Sequence, residues 1–245
     1  MSKNDWAGLL HEAVTVPGVV STAYHAFHNY SMGNQMLASM ECRMRGLPLG
    51  PIATFNGWKA KGRFVKRGER AITLWMPLSY TKKDKDGNDV AVHYFALKPH
   101  WFTISQTDGK PYAEPAIPGW DIDKALAALN IERVPYDMVD GNTQAFAQKN
   151  QVAINPVAAH PAKSLLHEIA HVLLGHTDPS CALDKHLKEA QAESVALLVA
   201  DALDIPGADE SRGYIQSWFG TDHDLPVDAA QDVFMAADKI LKAGR

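Results

Sequence analysis

Cysteine is almost absent from this chain: Cys42 and Cys181 are the only two among 245 residues. Two thiols cannot build a disulfide framework, so a reducing compartment is expected. Long apolar runs are missing as well. No uncharged stretch approaches the roughly 18 residues that a membrane-spanning helix needs. The opening MSKNDWAGLLHEAVTVPG lacks the basic-then-apolar layout of a secretory signal. A soluble, cytoplasmic protein with no membrane partner is the expectation. Internal repeats and low-complexity segments are also missing, which excludes a solenoid. One further scarcity is local: between residues 42 and 75, Glu69 is the sole acidic side chain.

What is present is the composition of a globular protein, 46% hydrophobic and 21% charged,. The length allows one large domain or two smaller ones, each with its own core. The formal net charge of −4 conceals an asymmetry. Residues 1–115 carry 14 basic against 9 acidic side chains, a net of +5; residues 116–245 carry 10 against 19, a net of −9. A basic half of this kind suits a polyanionic partner.

Helical spacing predicts a first helix over residues 3–13 and a second from about Ser31 to Gly46,. RAITLWMPLSY and VAVHYFAL are rich in β-branched and aromatic residues and predict two strands, joined by the polar hairpin loop TKKDKDGND,. The Gly and Pro signals of WFTISQTDGKPYAEPAIPGW place a domain boundary near residues 106–118,. Beyond it, DIDKALAALNIE reads as a helix and NQVAINP as a short strand. HPAKSLLHEIAHVLLG reads as a helix ended by Gly175, LDKHLKEAQAESVALLVADALDI as a long helix ended by Pro206, and LPVDAAQDVFMAADKILKAG as a final amphipathic helix,. The expected fold class is α+β: a mixed α/β domain over residues 1–115, then a mostly helical domain with a small sheet over residues 116–245.

Within SLLHEIAHVLLGH, His167 and His171 stand four apart, so both imidazoles leave one face of a helix,. That geometry lets them bind one metal ion, with Glu168 beside the first histidine and able to reach a water on the ion. This is the HExxH arrangement of metal-assisted hydrolysis. Given 11 His in 245 residues, a chance match somewhere in the chain has a probability of roughly 0.02. The surrounding positions are apolar nearly all round, which predicts a buried helix. Buried histidines and a buried glutamate are costly unless paired or metal-bound; a hydrogen-bonded pair in a core is the ordinary alternative. A third protein ligand is needed, and Glu189 and Glu193 on the next helix, again four apart, are the acidic candidates,. One can ligate while the other holds a ligand histidine. His176 falls outside the motif and reads as a solvated residue at the helix end. His160 and His186 read as surface residues, and Cys181 as a free buried thiol.

The acid-poor segment holds eight basic side chains: Arg43, Arg45, Lys59, Lys61, Arg63, Lys66, Arg67 and Arg70. Phe55, Trp58, Phe64 and Trp75 interleave with them. Cations neutralise phosphates and flat rings stack on unpaired bases, so the combination points to single-stranded nucleic acid. No helix-turn-helix or zinc-finger pattern favours duplex readout. The bland alternatives are a solvated basic face and, for Trp58, a core position.

These motifs carry a family resemblance. HEIAH, followed after 17 residues by EAQAESVA, resembles the gluzincin type of zincin metallopeptidase, and more narrowly the metallopeptidase domain of ArdC-like antirestriction proteins. HNYSMGNQMLA followed by TFNGWKAKGRFVKRGERAITLWMP is similar to their N-terminal single-strand DNA-binding domain. The resemblance implies zinc on His167, His171 and Glu189, with manganese or cobalt as other possible ions. It also implies Glu168 as general base, Glu193 behind the ligands, and the strand VAIN as the edge along which an extended peptide lies. It further implies a DNA surface drawing on Phe55, Trp58, Lys59, Lys61, Arg63, Lys66, Arg67 and Arg70, with Tyr30 and Asn34 from the Tyr-Ser-x-Gly-Asn run. The expected function is protection of incoming mobile-element or phage DNA from restriction, with single-stranded DNA as one partner and a peptide or protein as the other. Two rival readings stand beside it: a non-catalytic DNA binder with a structural or vestigial zinc site, and a regulatory protease acting on a DNA-bound protein.

Overall fold

The computed structural model describes residues 5–138, 143–219 and 225–245. Helices α1 (Trp6–Thr15), α2 (Val19–Phe27) and α3 (Met32–Met44) come first. Then follow β1 (Ile52–Thr54), α4 (Phe55–Ala60), β2 (Arg63–Val65), β3 (Ile72–Lys83), β4 (Asp89–Thr103), one 3₁₀ turn at Ile104–Gln106, and β5 (Thr107–Gly109). The rest comprises α5 (Ile122–Leu129), β6 (Glu132–Arg133), β7 (Ala145–Gln148), β8 (Gln151–Ile154), α6 (Pro161–Leu173), α7 (Lys185–Ala202), α8 (Ala208–Phe219) and α9 (Val227–Ala243). This is an α+β fold. No described helix is long and apolar enough to cross a membrane.

Two compact units form. One is Asn34–Pro115; the other joins the residues up to Gly33 to Ala116–Arg245. Packing therefore divides the chain at 115/116 but differs from the cut 1–115 and 116–245 in its first 33 residues. The reason lies in α1 and α2, whose apolar faces pack on α7, α8 and α9. The first helix, expected from residue 3, begins at Trp6 with Asp5 as N-cap, its carboxylate accepting the Gly8 N–H at 2.9 Å; residues 3 and 4 lie outside the described residues. Helix α2 was not expected. Val19, Val20 and Thr22 are poor helix formers, yet Val20, Ala23, Tyr24 and Phe27 fall at helical spacing and are buried,.

In the unit Asn34–Pro115, β4 is the centre of an antiparallel sheet ordered β1-β4-β3, and β2 pairs with β5. Trp58, Ile72, Leu74 and Trp75 lie in its core. Strand β3 is an edge, and unpaired edge groups cost stability or invite aggregation. Helix α3 covers part of that edge with side chains. The Asn34 amide accepts the Trp75 N–H and donates to the Trp75 carbonyl, both at 2.9 Å, and Glu41 accepts the Thr73 N–H at 2.8 Å. Beyond Pro77 the β3–β4 ribbon is exposed to its tip, where Asp84 accepts the Asp86 and Asn88 N–H groups.

The other unit is built around α7. Twelve of its 18 residues are buried, and α6, α8, α9 and α2 pack against it. The neighbouring sheet is ordered β6-β8-β7, with β8 parallel to β6 and antiparallel to β7. The strand VAIN was expected to be an edge; β8 is instead the central strand, with both sides paired, and β7 is the edge. Helix α8 was also unexpected, because Gly213 and the polar ADESR run hide its periodicity.

Candidate metal centre and basic surface

Pro161 opens α6 at its first position, where a missing N–H costs nothing,. Asp184 caps α7, accepting the Leu187 N–H at 3.0 Å. The two helices lie side by side, which brings His167 and His171 of α6 to Glu189 and Glu193 of α7. The His167 and His171 Nε2 atoms are 3.0 Å apart. The Glu189 carboxylate is 3.3 Å from the first and 3.7 Å from the second. Ligand atoms at the corners of a tetrahedron with bonds of about 2.0–2.1 Å stand roughly 3.3–3.4 Å apart. These three residues therefore fit a small divalent ion, and they are the described cluster suited to hold one.

The electrostatics converge on the same point. Burial opposes a charge on His167, but the Glu189 and Glu193 carboxylates outweigh it and hold this imidazole up at about 9. The His167 and His171 imidazoles beside it keep the Glu189 carboxyl well below its ordinary range. Two imidazoles and a carboxylate aimed at one place call for a positive charge there, a proton or a metal ion. Glu193 sits behind. Burial alone would raise its carboxyl, but His167 and Lys163 bring it down to about 2. One Glu193 oxygen accepts from His167 Nδ1 at 2.8 Å and the other pairs with Lys163 Nζ. Glu168 is buried, which pushes its carboxyl up from the usual value. It lines a cleft of about 680 Å³ together with His167, Glu189, Glu193, Tyr214 and the Gln144–Ala145 end of β7.

Lys163 and His176 did not stand out in the sequence. Lys163 is one turn before His167 on the same face. His176, expected to be solvated, is buried and lies 3.0 Å from His171, Nδ1 to Nδ1. Its burial, with His171 close by, holds its own pKa down at about 4. Of the remaining candidates, His186 is exposed, His160 pairs with Glu210 at 2.9 Å, and Cys181 is a free thiol but half-buried, not buried as expected.

The basic segment divides into structural and solvent-facing residues. Trp58 is fully buried and its indole N–H donates to the Phe102 carbonyl at 2.8 Å, so no base can stack on it. Trp75 is buried as well. The Arg63 guanidinium is occupied by Thr107, through Oγ1 at 2.8 Å and the carbonyl at 2.9 Å, and by the Lys110 carbonyl. Asn34 is committed to the β3 edge, and Tyr30, half-buried, belongs to the other compact unit. Lys66 donates to the Ser105 carbonyl at 2.9 Å. Arg45 is held by Glu41 at 2.9 Å, while Arg43, Lys59, Lys61, Arg67 and Arg70 are exposed, with Phe55 54% and Phe64 60% exposed in the same segment.

Residues 6–109 match the family model of the N-terminal domain of anti-restriction factor ArdC. The metal-free crystal structure of the antirestriction ArdC protein from R388 plasmid matches at 21% identity, over 87% of this chain and 82% of that one, with a TM-score of 0.51. The Mn(II)-bound structure of that protein matches at 21% identity, over 87% and 84%, with a TM-score of 0.50. No curated protein sequence gives a significant match. Residues 6–109 thus match the ArdC N-terminal domain, and the fold resembles that of a solved ArdC protein.

Proposed function

We propose that this chain is an antirestriction protein that binds single-stranded DNA through its basic segment and carries a zinc-type peptidase centre on α6 and α7. The observation that carries the second half is the convergence of His167 Nε2, His171 Nε2 and the Glu189 carboxylate within 4.8 Å of one another, beside Glu168. His167, His171 and Glu189 would hold a divalent ion, which would supply a Lewis acid and lower the pKa of water to about 7,. Glu168 takes the proton of the attacking water and returns it to the leaving amine. Its buried carboxyl, raised from the ordinary value, suits a group that must accept and then give up a proton,. Glu193, braced by Lys163, fixes the ring of His167,. Among the described residues β7 is the edge strand at the cleft, where an extended peptide adds as a further strand,.

For DNA, Lys59, Lys61, Arg67 and Arg70 meet phosphates, and Phe55 and Phe64 stack on bases. The likeness of residues 6–109 to the ArdC N-terminal domain supports the antirestriction role.

The experiment is digestion of casein and of candidate DNA-bound proteins by metal-loaded wild type and Glu168→Gln. Cleavage by wild type is expected, with a loss of about 10²–10⁴-fold in the variant and unchanged binding of single-stranded oligonucleotides. Equal cleavage by both proteins would remove Glu168 from the chemistry. Affinity for the oligonucleotide that ignores salt would remove the phosphate contacts.

A further inference from the structure

Helix α6 ends in a turn whose geometry reaches back into the metal centre. Gly175 has φ of 72°, its N–H donates to the Val172 carbonyl at 3.1 Å, and the His176 N–H donates to the His171 carbonyl at 2.9 Å. This is a Schellman motif, in which the residue after the left-handed glycine folds back onto the last turn of the helix. An apolar contact usually forms between those two positions. Here they are His176 and His171, and their imidazoles meet at 3.0 Å.

The other side of His176 is fixed by α7 and α9. Its Nε2 is 3.2 Å from Gln191 Oε1, and Gln191 Nε2 donates to the Ala229 carbonyl at 3.3 Å. Both His176 and Gln191 are buried. A backbone carbonyl only accepts, so the Gln191 NH₂ faces Ala229 and its oxygen faces His176. His176 must then carry its hydrogen on Nε2, which leaves Nδ1 bare to accept. His171 must carry its hydrogen on Nδ1, which leaves its Nε2 lone pair facing His167 and Glu189. The direction of every bond follows from the Ala229 carbonyl.

We propose that His176 is the positioning residue of His171. It holds that imidazole in the tautomer and orientation that ligation requires, through a relay His171–His176–Gln191–Ala229 that makes α9 part of the metal centre. It does for His171 what the Glu193 carboxylate does for His167, with a neutral acceptor in place of an anion. The inference rests on the reading of His171 as a metal ligand.

The test measures dissociation constants for Zn²⁺ and Mn²⁺ by competition with a chelator, in wild type, His176→Leu, Gln191→Leu, Gln191→Glu and His171→Ala. His176→Leu is expected to weaken binding about 10–100-fold, and Gln191→Leu by less. Gln191→Glu, which still accepts from His176 but cannot donate to the Ala229 carbonyl, is expected to fall between wild type and Gln191→Leu. Two-bond ¹⁵N imidazole spectra of zinc-loaded wild type are expected to show hydrogen on Nδ1 of His171 and on Nε2 of His176. That readout needs no variant to fold, and mere packing would not determine it. Wild-type affinity in a folded His176→Leu protein, or hydrogen on Nδ1 of His176, overturns the relay. If His171→Ala loses the metal while His176→Leu keeps it, the relay alone fails. If His171→Ala keeps it, the metal-site reading fails and the relay with it.

Discussion

At the scale of single residues, the same chemistry takes opposite roles according to burial. Trp58 and Phe55 are three positions apart in one short helix, yet the first is fully buried and the second 54% exposed. Trp58→Ala is expected to cost about 3–5 kcal/mol of stability, as large buried aromatics do, measured by denaturant unfolding. Phe55→Ala and Phe64→Ala are expected to leave stability nearly unchanged. Each should weaken single-strand binding by about 1–3 kcal/mol, read by fluorescence anisotropy. The opposite pattern, with Trp58→Ala stable and unable to bind, would place the stacking surface elsewhere. The sequence shows that aromatics and cations interleave here. It cannot say which ring faces inward, because α4 is six residues long and carries too little periodicity to define a face. Asn34 and Arg63 mislead for a related reason: the backbone groups they bind belong to strands more than 40 residues away.

At the scale of elements, α6 was legible because its signal is local. HExxH spacing, Pro161 at the start and Gly175 at the end are all readable along the chain. His176, expected to be solvated, is instead folded back onto His171 by the turn at Gly175, because Gln191 of α7 supplies a buried partner that the local sequence does not show. Gly175→Ala gives a clean test of that turn. Nothing lies within 4 Å of an added Cβ, so the substitution meets no clash, only the positive φ. It is expected to cost about 1–2 kcal/mol in thermal unfolding and to weaken metal binding by loosening His176. Full metal affinity despite lost stability would separate the turn from the site. Helices α2 and α8 were not legible, because β-branched residues in one and Gly213 in the other hide patterns that packing on α7 rescues. The edge strand of the cleft was misread for a topological reason: strand order depends on the pairing of β7 with β8, which alternation in VAIN cannot reveal.

At the scale of the whole molecule, family similarity and packing draw different lines. Similarity to the ArdC N-terminal domain runs over residues 6–109, while α1 and α2 lend their apolar faces to the unit that holds the metal cluster. Leu9, Leu10, Ala13 and Val14 of α1, with Val20, Tyr24 and Phe27 of α2, are buried there. A fragment of residues 116–245 is therefore expected to lack cooperative unfolding. A fragment of residues 1–115 is expected to self-associate through the uncovered helices, and one of residues 32–115 to stay monomeric. Sedimentation and calorimetry check this; a 116–245 fragment with the melting temperature of the full chain would contradict it. The charge split between the halves was visible in composition, whereas this exchange of helices was not, because it joins segments about 200 residues apart.

The central claim concerns where a metal ion is held, and anomalous diffraction from crystals grown with Zn²⁺ or Mn²⁺ tests it most directly. One strong peak is expected, about 2.0–2.2 Å from His167 Nε2, His171 Nε2 and a Glu189 carboxylate oxygen, with Glu193 outside the ligand set. A peak ligated by Glu193 in place of Glu189, or no peak between α6 and α7, would contradict it.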